Sequence, residues 1–228
     1  MTTPDGLSPV AVPNLNDVVY HLLRERILTR GFVPGERLDL DDLATRLQIS
    51  RTPLKDALNR LTVEGLIEIQ PRRGTFVTKP DAQKLDEAYK IRSAYELYVA
   101  LCIFKYLTAE DYRFFEDIHQ QMDELARSGD WQKVAPEYLS LDQQLHERFV
   151  LRGGPPRMLH LFQQTNVHTY VRLIVPCLSE RDFEMTHFEH EQIFAALASQ
   201  APDRLNAALL NHLEGARLRV GKAFNCST

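Results

Sequence analysis

Between residues 39 and 77 the chain reads DLDDLATRLQISRTPLKDALNRLTVEGLIEIQPRRGTFV, and few folds accept that order of signals. Leu43, Ala44 and Leu47 recur at helical spacing, and after a connector of only QIS so do Leu54, Ala57, Leu58 and Leu61. That period turns one face of each helix inward. Asp39 is placed to cap the first helix, and Ser50 or Thr52 the second. Pro53 fits a first turn, where its missing N–H has no partner in any case. Gly65 ends the second helix. Leu66-Ile67-Glu68-Ile69 and Thr75-Phe76-Val77 then read as strands joined at Pro71-Arg72-Arg73-Gly74. Upstream, DVVYHLLRERILTR at 17–30 gives a further helix. Val18, Leu22 and Ile27, with neighbours Val19, Leu23 and Leu28, lie on its stripe; Gly31 is its stop and Pro34-Gly35 a turn. Three helices and a two-stranded hairpin make a winged helix-turn-helix.

Polar and basic residues gather at two points of this frame. Ser50, Arg51, Thr52 and Lys55 stand in the first turn of the helix after the tight connector, and Arg72, Arg73 and Gly74 at the hairpin tip. A recognition helix enters the DNA major groove by its N-terminal end, where free backbone N–H groups attract phosphate. Arg51 has the donor fork that reads guanine through two hydrogen bonds, Lys55 makes a less directional contact, and Thr52 can bond phosphate. Gly74 lets the wing backbone approach a duplex closely. His21 and Arg60 read as surface residues. Residues 14–80 hold 11 Lys and Arg against 9 Asp and Glu, so placement rather than net charge carries the DNA reading.

The run from VVYHLLRERILTRGFVPGERL to EGLIEIQPRRGTFV resembles the DNA-binding domain of GntR-type bacterial transcription regulators. PGERL, LA..L, SRTP and EGL…RRG occur in order within residues 14–78. Family members usually carry Arg where this chain has Lys55, a change that keeps the charge and loses the two-pronged geometry. The resemblance implies a homodimer on a palindromic or near-palindromic double-stranded operator.

Residues 1–13 read as a disordered arm and 79–84 as a polar linker. The segment 85–222 reads as an all-helical domain and 223–228 as a tail. Six helices are expected, near 82–107, 109–128, 130–151, 157–175, 182–199 and 202–222, and their short connections imply an antiparallel bundle. The charge turns acidic here: residues 81–228 hold 16 Lys and Arg against 21 Asp and Glu. No apolar run approaches the roughly 20 residues of a membrane span, and no secretory signal opens the chain. Cys102, Cys177 and Cys226 are scattered and odd in number, which points to a reducing, cytoplasmic setting without disulfides. The expected fold class is therefore mainly α, a winged helix-turn-helix followed by an all-α bundle.

Arg92 and Glu96 interrupt the apolar stripe of the first bundle helix. They fit a structural ion pair at i, i+4, or an arginine that faces a cavity and awaits an anion. Asp142 and His146 share one helix face, and His190 and His212 each lie beside apolar positions. Meeting in a core, these four would suit a divalent metal such as zinc, nickel or manganese; a lone core histidine is otherwise satisfied by a hydrogen bond. His187 rivals His190, His168 is within reach of the same region, and His119 and His160 read as surface or supporting residues. HExxH fails, because Val150 and Phe194 stand where the second histidine belongs, and neither GxSxG nor a Walker loop occurs. An enzyme, specifically a metal-dependent hydrolase, is therefore a remote alternative.

This half resembles the FCD-type effector domain of the FadR group of GntR regulators. The resemblance implies metal ligation by Asp142, His146, His190 and His212, with zinc foremost. It also implies a small organic acid held beside the metal by Arg92, with Arg172 as a looser match. The implied function is a transcription regulator, acting as a repressor, whose operator affinity answers to a carboxylate metabolite. A regulator that answers to the metal alone is the alternative.

Overall fold

The computed structural model describes residues 14–224, so the arm at 1–13 and the tail from 225, with Cys226, lie outside the described residues. The chain forms two compact units, meeting between Lys79 and Pro80.

In the first unit, α1 (Leu15–Leu28), α2 (Leu40–Leu47) and α3 (Arg51–Val63) surround a core of Val19, Leu23, Ile27, Leu43, Leu54, Leu58 and Leu61. Val18 and Leu22, expected on the inner stripe of α1, lie on its exposed side. Asp39 caps α2 by accepting from the Asp41 and Asp42 amides. Gln48 then leaves that helix in the left-handed region at φ 53°, so three residues suffice to turn the chain into α3. The hairpin is β2 (Ile67–Gln70) with β3 (Gly74–Val77), and a further strand, β1 (Arg37–Leu38), pairs antiparallel with β3 in the order β1-β3-β2. The sequence shows only two of these three strands, because two residues are too short for an alternating pattern.

The second unit holds seven α-helices among the described residues, not six. They are α4 (Ala82–Ala100), α5 (Ala109–Arg127), α6 (Trp131–Gly153), α7 (Pro156–Gln163), α8 (Val167–Ile174), α9 (Glu180–Ala198) and α10 (Pro202–Phe224). The helix expected at 157–175 is two, because Asn166 takes a left-handed φ of 52° and turns the chain between them. Asn tolerates that region, and no Gly or Pro marks the break. The first bundle helix ends at Ala100 rather than 107; Cys102, at φ −132°, takes the backbone into a single 3-10 turn at Ile103–Lys105. Gln83 and Lys84, expected in the linker, form the first turn of α4 because Asp81 caps their amides. The core joins Val99, Ile103, Phe115, Met122, Tyr138, Leu145, Phe149, Ile193 and Leu209. A second cluster centres on Leu85, Tyr89, Val167, Val171 and Val220. No helix among the described residues is long and apolar enough to cross a membrane.

Candidate metal centre and DNA-reading surface

Helical spacing aims four side chains of the bundle at one point. Asp142 and His146 lie one turn apart on α6, His190 comes from α9 and His212 from α10; all four are buried, with ligand atoms within 4.8 Å of one another. Asp142 is the hub. Its Oδ1 lies 2.7 Å from His190 Nε2, 3.4 Å from His146 Nε2 and 4.0 Å from His212 Nε2. His168 of α8 adds another imidazole, with Nε2 3.1 Å from the other oxygen, Oδ2. None of these contacts has hydrogen-bond alignment, so the four Nε2 atoms are buried without a partner. Unpaired buried polar atoms cost about 1–3 kcal/mol each. Four convergent ones beside a carboxylate could hold a divalent cation, and His/Asp donors are of the type that suits zinc and its neighbours.

The far nitrogens of three of the rings are held. His146 Nδ1 meets Glu96 Oε2, His190 Nδ1 meets the Tyr138 hydroxyl at 3.1 Å, and His212 Nδ1 meets Glu189 Oε2 at 3.2 Å. Arg219 in turn grips both oxygens of Glu189. Such outer partners fix ring orientation and leave Nε2 to face the centre. Glu189, Tyr138 and Arg219 were not picked out from sequence, and Glu96 was noted there only as the ion-pair partner of Arg92. They reach the site through helix pairing, and only Glu96 carried a signal, as a charge inside an apolar stripe.

Electrostatics follow from this crowding. Burial opposes the charge on Glu96, but Arg92 and His146 beside it hold its carboxyl at about 2. Burial likewise opposes the Asp142 charge, and the imidazoles around it outweigh burial and keep it well below the usual carboxylate range. Burial pushes His212 well below its ordinary value and, with the Arg92 cation, takes His168 down to about 4. His146 is the exception: burial and Arg92 lower it, but Glu96 and Asp142 flank it and raise it overall.

Arg92 both pairs with Glu96 and lines a cavity. Its Nε donates to Glu96 Oε1 at 2.6 Å, as the i, i+4 pair requires. Its Nη2 is buried and unpartnered, and Arg92 lines a cavity of about 60 Å³ together with Asp142, His212, Tyr89 and Arg219. Arg172 is not among the residues lining that cavity; its Nη2 donates to Gln143 Oε1 at 2.9 Å and to the Leu139 carbonyl. His187 faces away from the buried four, toward Asp123 and Glu191 on the α5 side. His119 bonds Glu191, and His160 bonds Gln164 near the surface.

In the first unit Ser50 occupies the N-cap of α3 without a side-chain cap bond, and Arg51, Thr52 and Lys55 are exposed over the first turn. Arg51 forms an ion pair with Asp41 of α2. Arg72 and Arg73 are exposed at the wing tip, where Arg72 takes φ 63° and Gly74 φ 121°. A Cβ on Gly74 would stand 2.9 Å from Arg37 Nε. Arg60 packs over the Tyr20 ring, 4.0 Å from its centroid, and pairs with Asp17 at 2.7 Å, so it ties α3 to α1.

Residues 15–77 match the family described as bacterial regulatory proteins, gntR family, and residues 87–215 match the FCD domain. The chain is 30% identical over 183 residues to the Nta operon transcriptional regulator of Aminobacter aminovorans, spanning 80% of this chain and 83% of that protein. It is 25% identical over 221 residues to the HTH-type transcriptional repressor RspR of Escherichia coli, spanning 94% and 91%. Among solved structures, E. coli McbR/YncC shares the fold with a TM-score of 0.69 at 18% identity, over 95% of this chain and all of that one. The relatives are named as transcription regulators, a non-enzymatic role.

Proposed function

The chain belongs to the gntR family of bacterial regulatory proteins and carries an FCD domain, and from that premise we propose that a small carboxylate, bound beside a divalent metal in the helical unit, sets its affinity for DNA. The observation that carries this reading is the gathering of four unpartnered Nε2 atoms around the Asp142 carboxylate, beside a small cavity that Asp142, His212 and Arg92, with its unpartnered Nη2, help to line. Asp142, His146, His190 and His212 hold the metal, which supplies an electrophilic centre for a carboxylate oxygen. Arg92 Nη2 supplies a charge-assisted hydrogen bond. Glu96, Tyr138 and Glu189 keep the rings turned inward, and the apolar wall of Tyr89, Val171 and Val220 excludes larger polar ligands.

On the DNA side, Arg51 and Lys55 read base edges, Ser50 and Thr52 contact phosphate, and Arg72, Arg73 and Gly74 bring the wing to the backbone. Two copies acting on a palindrome place two such helices about one DNA turn apart. Ile91 and Tyr98 support pairing of copies, because they stand exposed about two turns apart along one side of α4. An effector need only favour one arrangement of the paired protein to shift its population. The protein is expected to repress and to work in the cytoplasm.

One observation favours a second reading, in which the metal itself is the signal. A cavity of about 60 Å³ leaves little room beyond a few waters or a short acid. Titrating operator DNA with metal-loaded and with chelator-stripped protein, each with and without short-chain carboxylates, separates the two. A shift caused by an acid supports the first reading, a shift on metal loading alone supports the second, and no shift in either condition removes both.

A further inference from the structure

A second cluster of donors lies between α5 and α9, apart from the buried four. His119 and Asp123 stand one turn apart on α5; His187 and Glu191 stand one turn apart on α9 and face them. The ligand atoms of Asp123, His187 and Glu191 all fall within 4.8 Å of one another. His187 Nε2 is 3.7 Å from Asp123 Oδ1 and 3.9 Å from Glu191 Oε1. These separations are too long for hydrogen bonds. They are close to the roughly 3.4 Å that separates two donors bound at about 2.0–2.1 Å to one tetrahedral ion.

The surroundings favour an ion over a simple ion pair. The Nδ1 of His187 faces the Tyr138 hydroxyl at 3.1 Å, which leaves Nε2 for the two carboxylates. His119 Nε2 lies 2.7 Å from Glu191 Oε1 and fixes that carboxylate, and the His119 ring is itself stacked on Phe194. Arg127 pairs with the other oxygen of Asp123 and leaves Oδ1 turned inward. His187 and Glu191 also line an open cavity of about 320 Å³ beside Trp131, Glu180 and Phe188, which gives an ion a path from solvent.

We infer that Asp123, His187 and Glu191, supported by His119, form a second site for a first-row divalent cation, more exposed than the buried centre and of lower affinity. Three protein donors leave part of its coordination shell to water. The Tyr138 hydroxyl lies 3.1 Å from Nδ1 of both His187 and His190, so one phenol touches a ring from each site. Its single hydrogen can be given to only one of them. With His190 bound to metal through Nε2, its Nδ1–H donates to Tyr138, and Tyr138 is then free to donate to His187. That donation favours the His187 tautomer with the proton on Nε2, so filling the buried centre weakens the outer one.

The test uses full-length protein stripped with chelator and titrated with zinc chloride, with stoichiometry read by calorimetry and equilibrium dialysis. Wild type is expected to take up two zinc equivalents per chain, one tight and one weaker. Asp123→Asn combined with Glu191→Gln, both isosteric and partly exposed, is expected to lose the weaker equivalent and keep the tight one. His212→Ala is expected to do the reverse, which separates this inference from the proposal for the buried centre. A wild type saturating at one equivalent that only His212→Ala removes overturns the second site. So does a double variant that binds as much zinc as wild type.

Discussion

In the proposed function base reading turns on Arg51, which in the free protein pairs with Asp41. On that proposal the pair is exchanged for a base edge on binding. Arg51→Ala is therefore expected to cost about 1–3 kcal/mol of operator binding and to relax specificity. Lys55→Ala is expected to weaken binding to all sequences and reduce its salt dependence. Competition titrations against non-operator DNA distinguish the two, and unchanged operator affinity in the Arg51 variant removes that assignment. In the second unit, Glu189→Gln keeps its shape but loosens the Arg219–Glu189–His212 chain. Metal affinity is expected to fall about 10–100-fold; affinity equal to wild type would show that His212 is not held from outside. The sequence brought Asp142, His146 and His212 to attention, and it was the family resemblance that favoured His190 over its rival His187. Three residues on one helix differ by about 60° in direction, and only the packing of α9 against α5 and α6 decides which ring turns inward. Tyr138 and Glu189 carry no local signal, since their role exists only once α6, α9 and α10 meet.

At the level of elements, capping and turn chemistry made most of the first unit legible. Asp39, the QIS connector and Gly65 set the helix ends because each acts on backbone within a few residues. Where a boundary depended on distant packing, sequence reasoning fell short: β1 needs β3 beside it, and the break at Asn166 uses a residue that elsewhere continues a helix. The wing offers a direct check. Gly74 sits at φ 121° with Arg37 Nε where a Cβ would go. Gly74→Ala is expected to destabilise the first unit by about 1 kcal/mol or more, measured as a lower unfolding midpoint. A variant as stable as wild type would mean that the wing turn tolerates another backbone conformation.

For the whole molecule, the buried imidazoles set how stability responds to pH. In chelator-stripped protein His168 is held neutral, with its pKa brought from 6.5 to about 4. The unfolded chain takes up a proton as pH falls below 6.5 and the folded chain does not, so folding is weakened through that window. Glu96, lowered from 4.5 to about 2, has the same sign further down, its contribution being lost as pH falls below 4.5. The melting temperature of the stripped protein is expected to drop between pH 6.5 and 4, and His168→Gln to flatten the upper part of that drop. A flat profile would contradict the burial of a neutral His168. The central claim is that chemistry at the buried centre governs the grip on DNA. The most direct measurement is the operator-binding curve of metal-loaded and chelator-stripped protein, each recorded with and without short-chain carboxylates. A midpoint displaced about 5–150-fold between conditions is the expected result; superimposable curves in all of them would contradict the account.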